Sequence, residues 1–359
     1  MARILPRTLP ELPNKGSLIS FLIAGPVKSP LTTRSGPCMV PAMGTVHDLI
    51  ESRGKGAALA SYLNRKEVEA AAAYLSDENN GIGFLYSGWC QAALPHRRLA
   101  DDVGWQIDGE KVTLVVEPGM RPTPSGKPEA VGVPYGSRAR LIMLYLQSEA
   151  LRTGSREIEL GSSLRSWLIR MDIPLGGKSR IGVREQAERI SRCRLTLQVR
   201  MGKAMGLMNQ NIVDTAIFLD HSGSEQTSLF TETAKLSEGF YEQLQRHSVP
   251  LEEAAIRAIN NNSMALDLYA WLAYRLHVLE KPRPITWSAL KQQFGNGFLR
   301  NGHFKDTFVA NLALAKVVYR AANVDFDERG VTLYPSDPPV PPAKSLGRHA
   351  TKVLSLPIR

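Results

Sequence analysis

One order of segments occurs twice in this sequence, and it constrains the fold more tightly than composition does. In the first copy Leu141, Leu144, Tyr145 and Leu151 step at helical spacing, and Ile142 and Leu146 widen the stripe into a mostly buried helix. Gly154 breaks it, a strand-like run follows at 156–160, and Ser162 is placed to cap a short helix through Leu164, Trp167, Leu168 and Met171. A turn with Pro174, Gly176 and Gly177 leads into a third helix over about 179–194, after which 195–199 and 214–219 read as two strands of one β-ribbon. In the second copy Leu268, Trp271, Leu272, Leu276 and Leu279 mark a long amphipathic helix that Pro282 and Pro284 break. Residues 286–294 make a short helix carrying Trp287, with Gly295 and Gly297 in its turn. A third helix over 303–320 has an inner stripe of Phe304, Phe308, Leu312, Ala315 and Tyr319. Strands at 324–326 and 331–333 then flank Glu328, Arg329 and Gly330 as a hairpin.

Helix, short helix with an aromatic, glycine turn, long helix and β-ribbon, stated twice, read as two winged-helix modules, the helix-turn-helix variant with a β-wing. The expected fold class is therefore α+β and mostly helical, with tandem winged-helix domains behind a smaller N-terminal α/β hairpin region. Residues 1–60, rich in Pro, Gly, Ser and Thr, read as a flexible arm. Residues 61–131 hold an Ala-rich helix at 65–75 and two strands around Asp108-Gly109, a good hairpin signal. Within and just beyond them, the Pro- and Gly-dense stretch 118–134 reads as a linker. Winged helix 1 is expected over 132–235, a linker over 236–262, winged helix 2 over 263–335 and a flexible basic tail over 336–359.

Among the 359 residues, 44 Lys and Arg against 34 Asp and Glu give a formal charge of +10, which favours polyanionic partners. Cys38, Cys90 and Cys193 are too few and too far apart for a disulfide framework or a CxxC knuckle, so a reducing cytoplasm is expected. No apolar run approaches the ~20 residues of a membrane span, and no membrane partner is expected. The run LISFLIA at 18–24, behind Arg3, Arg7 and Lys15, is at the short limit for a secretory core and contains Ser20. It reads instead as an edge strand or a local anchor.

The stretch IPLGGKSRIGVREQAERI, beginning at Ile173, ends its turn in GKS, as a phosphate-binding loop does. Three features oppose that reading. Asp172 stands where the first Gly of GxxxxGK[ST] belongs, Pro174 has no N–H to offer a phosphate, and a helix rather than a strand precedes the turn. The turn is read as delivering a helix, and no cofactor is expected.

On that helix Val183, Ala187, Ile190 and Cys193 share the inner face, while Arg184, Glu185, Glu188, Arg189 and Arg192 lie opposite. Between Gly132 and Arg200 there are 13 Lys and Arg against 6 Asp and Glu, a net +7 in one module. The pairs Arg184–Glu188, Glu185–Arg189 and Glu188–Arg192 are also what a solvated, ion-paired face looks like. The surplus of arginine, the preceding tight turn and the second copy favour a DNA reader. The candidate DNA-binding residues are Lys178, Ser179, Arg180, Arg184, Glu188, Arg192 and Arg194, with Arg180 and Arg184 aimed at guanine edges and Lys178 and Arg194 at phosphates. In the second module Arg300, Asn301, His303 and Lys305 hold the equivalent positions.

Other chemistry is thin. The seven histidines show no HxH or HExxH spacing and no GxSxG elbow occurs, so no catalytic or metal-ligating residue is assigned. His277 is read as a packed core residue, and Trp167, Trp271 and Trp287 as core aromatics.

The segments YGSRARLIMLYLQSEALRTGSREIELGSSLRSWLIRMDIPLGGKSRIGVREQAERISRCRLTL, LYAWLAYRLHVLEKPRPITWSALKQQFG and GFLYSGWCQAALPHRRL resemble the plasmid-encoded RepA family of replication initiators. The resemblance spans about residues 81–335. It implies a non-enzymatic protein that binds repeated sites in double-stranded origin DNA, promotes opening of an A·T-rich neighbour and recruits a host replicative helicase or initiator. Related initiators repress their own promoters as homodimers and bind origin repeats as monomers. The alternative is a winged-helix transcriptional repressor that leaves origin DNA closed. Pro250 interrupts the 238–260 region, where some related initiators have a long inter-module helix, and so speaks against a rigid coupling of the modules.

Overall fold

The computed structural model of the protein describes residues 44–342 apart from 62–63, 79, 110–111, 175, 202–203 and 218–232. The run at 18–24, Cys38 and the tail after 342 lie outside the described residues. The chain opens with α1 (Gly44–Ser61) and α2 (Arg65–Leu75), the latter capped by Asn64, whose side chain accepts from the Lys66 N–H. Five short strands follow: β1 (Ile82–Tyr86), β2 (Trp105–Asp108), β3 (Val112–Glu117), β4 (Met120–Arg121) and β5 (Glu129–Ala130). The first repeat comprises α3 (Gly136–Thr153), β6 (Glu157–Glu159), α4 (Gly161–Arg170), α5 (Gly177–Arg192), β7 (Arg194–Met201), β8 (Ala204–Asn211), β9 (Val213–Ile217) and β10 (Thr233–Leu236). Between the repeats lie α6 (Glu238–Arg246), β11 (Ser248–Glu252) and α7 (Glu253–Ala258). The second repeat runs α8 (Ser263–Arg275), β12 (Arg283–Thr286), α9 (Trp287–Phe294), α10 (Asn301–Val317), β13 (Val324–Phe326) and β14 (Gly330–Leu333). The described residues form an α+β structure, about 47% helical.

The two repeats share a sheet topology as well as an element order. One three-stranded sheet has the order β6-β10-β9 and the other β12-β14-β13, so in each the third strand lies between the first and the second. All four pairings are antiparallel. The repeats differ by one insertion, the β7–β8 hairpin, which follows α5 and joins a separate sheet of order β2-β3-β7-β8.

That insertion corrects the expected ribbon, because 195–199 and 214–219 are not partners. Leu195 and Leu197, 1% and 5% exposed, face Val116 and Leu114 in register and extend the apolar face of the N-terminal hairpin. β9 pairs instead with β10, a strand the periodicity did not reveal.

Other boundaries also move. The arm expected over 1–60 contains α1, which buries Val46 and Ala58 and whose His47 Nε2 lies 2.9 Å from the Val317 carbonyl. The stretch 118–134 is no loose linker, since β4 and β5 pair as a hairpin whose Gly119 sits against Arg192. A Cβ on Gly119 would lie 2.2 Å from the Arg192 carbonyl oxygen. Residues 236–262 form a packed bridge. β11 pairs with β1, and Pro250 stands opposite Phe84, whose N–H is donated to Ser148 Oγ on α3. At such a pair the backbone N–H groups point away from the partner strand, so proline removes no ladder bond. The tail is ordered as far as it is described: Val340 is 2% exposed, and Tyr319 donates from its hydroxyl to the Asp337 carbonyl.

The core centres on α3 and α8. Every residue from Leu141 to Ser148 and from Met264 to Ala273 is buried, so neither is a one-sided surface helix. α3 packs on α5, β1 and α8, and α8 packs on α10 and β11, which seats both repeats on one continuous core.

Candidate nucleic-acid interface

The turn before α5 is built by backbone chemistry. α4 ends in a Schellman motif: the Ile173 N–H reaches the Leu168 carbonyl, the Asp172 N–H reaches the Ile169 carbonyl, and Asp172 takes φ 61°. Ser162 does not cap α4, which begins at Gly161. Its hydroxyl instead donates to Glu159. After Pro174, the Gly176 carbonyl accepts from the N–H groups of Ser179 and Arg180 and starts α5. GKS is the first turn of a helix that follows another helix.

α5 carries its expected inner face, with Val183, Ala187 and Ile190 at 8%, 6% and 1% exposure. Lys178, Arg180 and Arg184 are exposed on the first half of the helix. No acidic residue occupies the first turn, and no side chain caps it, so the open N–H groups and two cations give this end a strongly positive field. Lys178 and Arg180 make no ion pair among the described residues.

The second half of α5 is different, because its charged side chains are engaged within the protein. Arg189 is 3% exposed and belongs to the core. Its guanidinium donates to Asp101, Glu185 and the Val133 carbonyl and lies 5.2 Å over the Tyr135 ring. Gly132, at φ +77°, makes room for it, since a Cβ there would lie 2.0 Å from Arg189 Nη1. Burial raises the Asp101 carboxyl, but hydrogen bonds from Arg189 and Arg98 outweigh it and hold the group below its usual range. Ser179 is also turned inward, at 9% exposure with no hydrogen-bond partner for Oγ among the described residues. Glu188 accepts from Arg192 and pairs with Arg121 at 3.6 Å, while Arg192 Nη1 donates to the Met120 carbonyl. Glu188 and Arg192 thus fasten α5 to the β4–β5 hairpin. Arg194 is exposed, but it begins β7 opposite Glu117 rather than ending the helix. Cys193 stops the helix there, with extended backbone and its thiol donating to the Ile190 carbonyl.

In the second repeat Arg300 and Asn301 are exposed at the start of α10. Asn301 Oδ1 accepts from Lys291, the His303 ring packs edge-on at 5.4 Å from Phe298, and Lys305 Nζ lies 5.2 Å over the Trp287 ring. Arg300, beside the almost fully exposed Leu299, is the outward cation of this group. His277 is exposed rather than packed in the core, because the helix has ended in a 3₁₀ turn there. Trp167 and Trp271 are buried as expected, and Trp287 is half-buried against Phe308.

Sequence reasoning missed Arg138. It is exposed on α3 and lies across Gly182 of α5, where a Cβ would come within 3.3 Å of its Nη1. Its signal was the bare Gly182 in the middle of a helix, a position that costs about 1 kcal/mol unless something approaches closely.

These features define a class: an α+β protein with a twice-used α-β-α-α-β-β unit and a cationic third helix in the first copy. The family model described as plasmid encoded RepA protein matches residues 133–289. No curated protein matches the sequence. Two solved structures are similar in part. One is of domains 2 and 3 of RctB as selenomethionine derivatives, at 9% identity and TM-score 0.45, covering 70% of this chain and 98% of that one. The other, of RctB domains 2–3, has 9% identity and TM-score 0.42 over 69% of this chain and 94% of that one.

Proposed function

We propose that this protein is a plasmid replication initiator that binds repeated double-stranded sites at an origin through two winged-helix modules, with α5 and α10 as the reading helices. The observation that carries the reading is the exposed Lys178, Arg180 and Arg184 on the third helix of a repeat whose sheet order is first-third-second. A RepA-type segment over 133–289 agrees with it. Helices of this kind enter the major groove by their N-terminal halves, and two of them span successive grooves about 34 Å apart. Phosphate contacts from Lys178 and the α5 N-terminus set register, and Arg180 and Arg184 reach base edges.

In this reading adjacent repeats, once filled, bend the duplex, and the added contacts offset several kcal/mol of deformation so that an A·T-rich neighbour opens. A host helicase or initiator is then recruited in the bacterial cytoplasm, and the same modules, as a dimer, repress the protein's own promoter. No catalytic step belongs to the chain. Footprinting on the repeats beside the gene, with permanganate probing of the A·T-rich tract, tests this. Protection of both half-sites with reactive thymines supports initiation, protection without reactivity leaves the repressor reading, and protection by one module alone removes the two-module grip.

A further inference from the structure

Ile181 is 68% exposed on α5, whereas Val183, Ala187 and Ile190 on the same helix are buried. A lone exposed aliphatic side chain is ordinary on a protein surface. This one is singled out by its surroundings. It stands three residues after Lys178 and three before Arg184, in the middle of one stripe of the helix, with Arg180 adjacent in sequence. On the side of Gly182, Arg138 of α3 lies across the helix. An aliphatic β-branched residue adds little to helix propensity, and this one is mostly exposed. The result is a small apolar spot on a helix that also exposes Lys178, Arg180 and Arg184, with Arg138 lying across the neighbouring Gly182.

A partner for such a spot must be anionic around a local apolar group. In the major groove of duplex DNA the phosphates supply the anionic rim, and the C5-methyl of thymine is the apolar group that base edges present. Resting on the DNA-binding reading above, we propose that Ile181 is a specificity-determining residue that reads a thymine methyl group in the bound repeat.

The test uses the full chain and duplexes that it enriches from a randomised duplex library. Each thymine of the enriched site is replaced singly by deoxyuridine, and affinities are measured for the wild type and for Ile181→Ala. One replacement should weaken the wild type about fourfold, the equivalent of about 0.8 kcal/mol for one methyl-sized group. Ile181→Ala should bind the thymine and deoxyuridine duplexes equally, and Ile181→Val should keep part of the discrimination. Equal wild-type binding to every deoxyuridine duplex overturns the proposal, as does a loss that persists unchanged in Ile181→Ala. A lowered melting temperature or an altered self-association of free Ile181→Ala also overturns it, because the side chain then covers protein. Failure to enrich any duplex is a distinct result that removes the DNA-binding reading and the proposal with it.

Discussion

Arg140 on α3 and Asp267 on α8 meet through two hydrogen bonds of 2.6 Å, from Nε and Nη2, and so join the first helices of the two repeats. Both side chains are only 10% exposed. The remaining guanidinium N–H groups donate to the carbonyls of Leu94, Pro95 and Gly136, so the N-terminal segment is tied to the same point. The weak coupling suggested by Pro250 is thereby corrected: the repeats are joined by core contacts and a buried ion pair, not by a continuous helix.

Removing one partner leaves the other charge stranded in a dry site. Asp267→Asn or Arg140→Met should each cost about 3–5 kcal/mol, whereas combining Arg140→Met with Asp267→Leu, which replaces the pair by apolar side chains, should cost less than either alone. Urea unfolding of the three variants checks this. Single variants within about 1 kcal/mol of wild type would show that the pair carries no coupling.

His96 sits beside that pair, with Nδ1 3.0 Å from Ser263 Oγ. Burial, reinforced by Arg140, lowers its ionisation to about 4, against the pull of Asp267 at 4.0 Å. A histidine neutral in the folded state and basic in the unfolded chain contributes full stability above pH 6.5 and loses it as pH falls toward 4. The loss should approach about 3 kcal/mol by pH 4. Comparing the pH dependence of unfolding for wild type and His96→Gln isolates this contribution, and identical slopes would refute it.

Asp172 holds φ 61°, in the left-handed region, at the end of α4. Glycine takes this conformation without the Cβ penalty of about 1–2 kcal/mol, so Asp172→Gly should raise stability by about 1 kcal/mol after the entropic cost of glycine. Thermal melting measures it, and a lowered midpoint would contradict the assignment.

The two halves of α5 should separate on DNA. Arg184→Ala is expected to lose about 1–3 kcal/mol on cognate sites only, and Lys178→Ala to weaken all sequences while lowering the salt slope by about 1. Arg192→Ala, whose guanidinium is held by Glu188 and the Met120 carbonyl, should change binding by less than about 0.5 kcal/mol. Competition binding at several salt concentrations distinguishes the three. A uniform loss for Arg184→Ala would reassign it to the backbone.

The helices of both repeats were legible because their apolar spacing is local: the inner stripe Phe304, Phe308, Leu312, Ala315 and Tyr319 is buried throughout. The second hairpin at 324–333 was legible for the same reason. What stayed hidden was set by distant partners. Arg189 looks like another surface arginine until Asp101, 88 residues earlier, and Gly132 close around it. The strand at 194–201 gives no sign that its neighbour is 112–117 rather than 213–217. At the site, burial set Ser179 and Arg189 apart from Lys178, Arg180 and Arg184, and hydrogen bonds to Glu188 and the Met120 carbonyl set Arg192 apart, distinctions that charge pattern alone does not contain.

The limits of the RepA-matched stretch have a practical meaning for anyone trimming the polypeptide. Residue 289 falls inside α9, so a fragment ending there would keep β12 without β14 and α8 without α10, uncovering the side of α8 that packs on α10. Starting at 133 would also discard the Leu94 and Pro95 carbonyls that satisfy Arg140, and β1, the hydrogen-bonded neighbour of β11. The matched stretch is a signature rather than a self-sufficient folding body, and soluble fragments are expected only from cuts near residues 44 and 342.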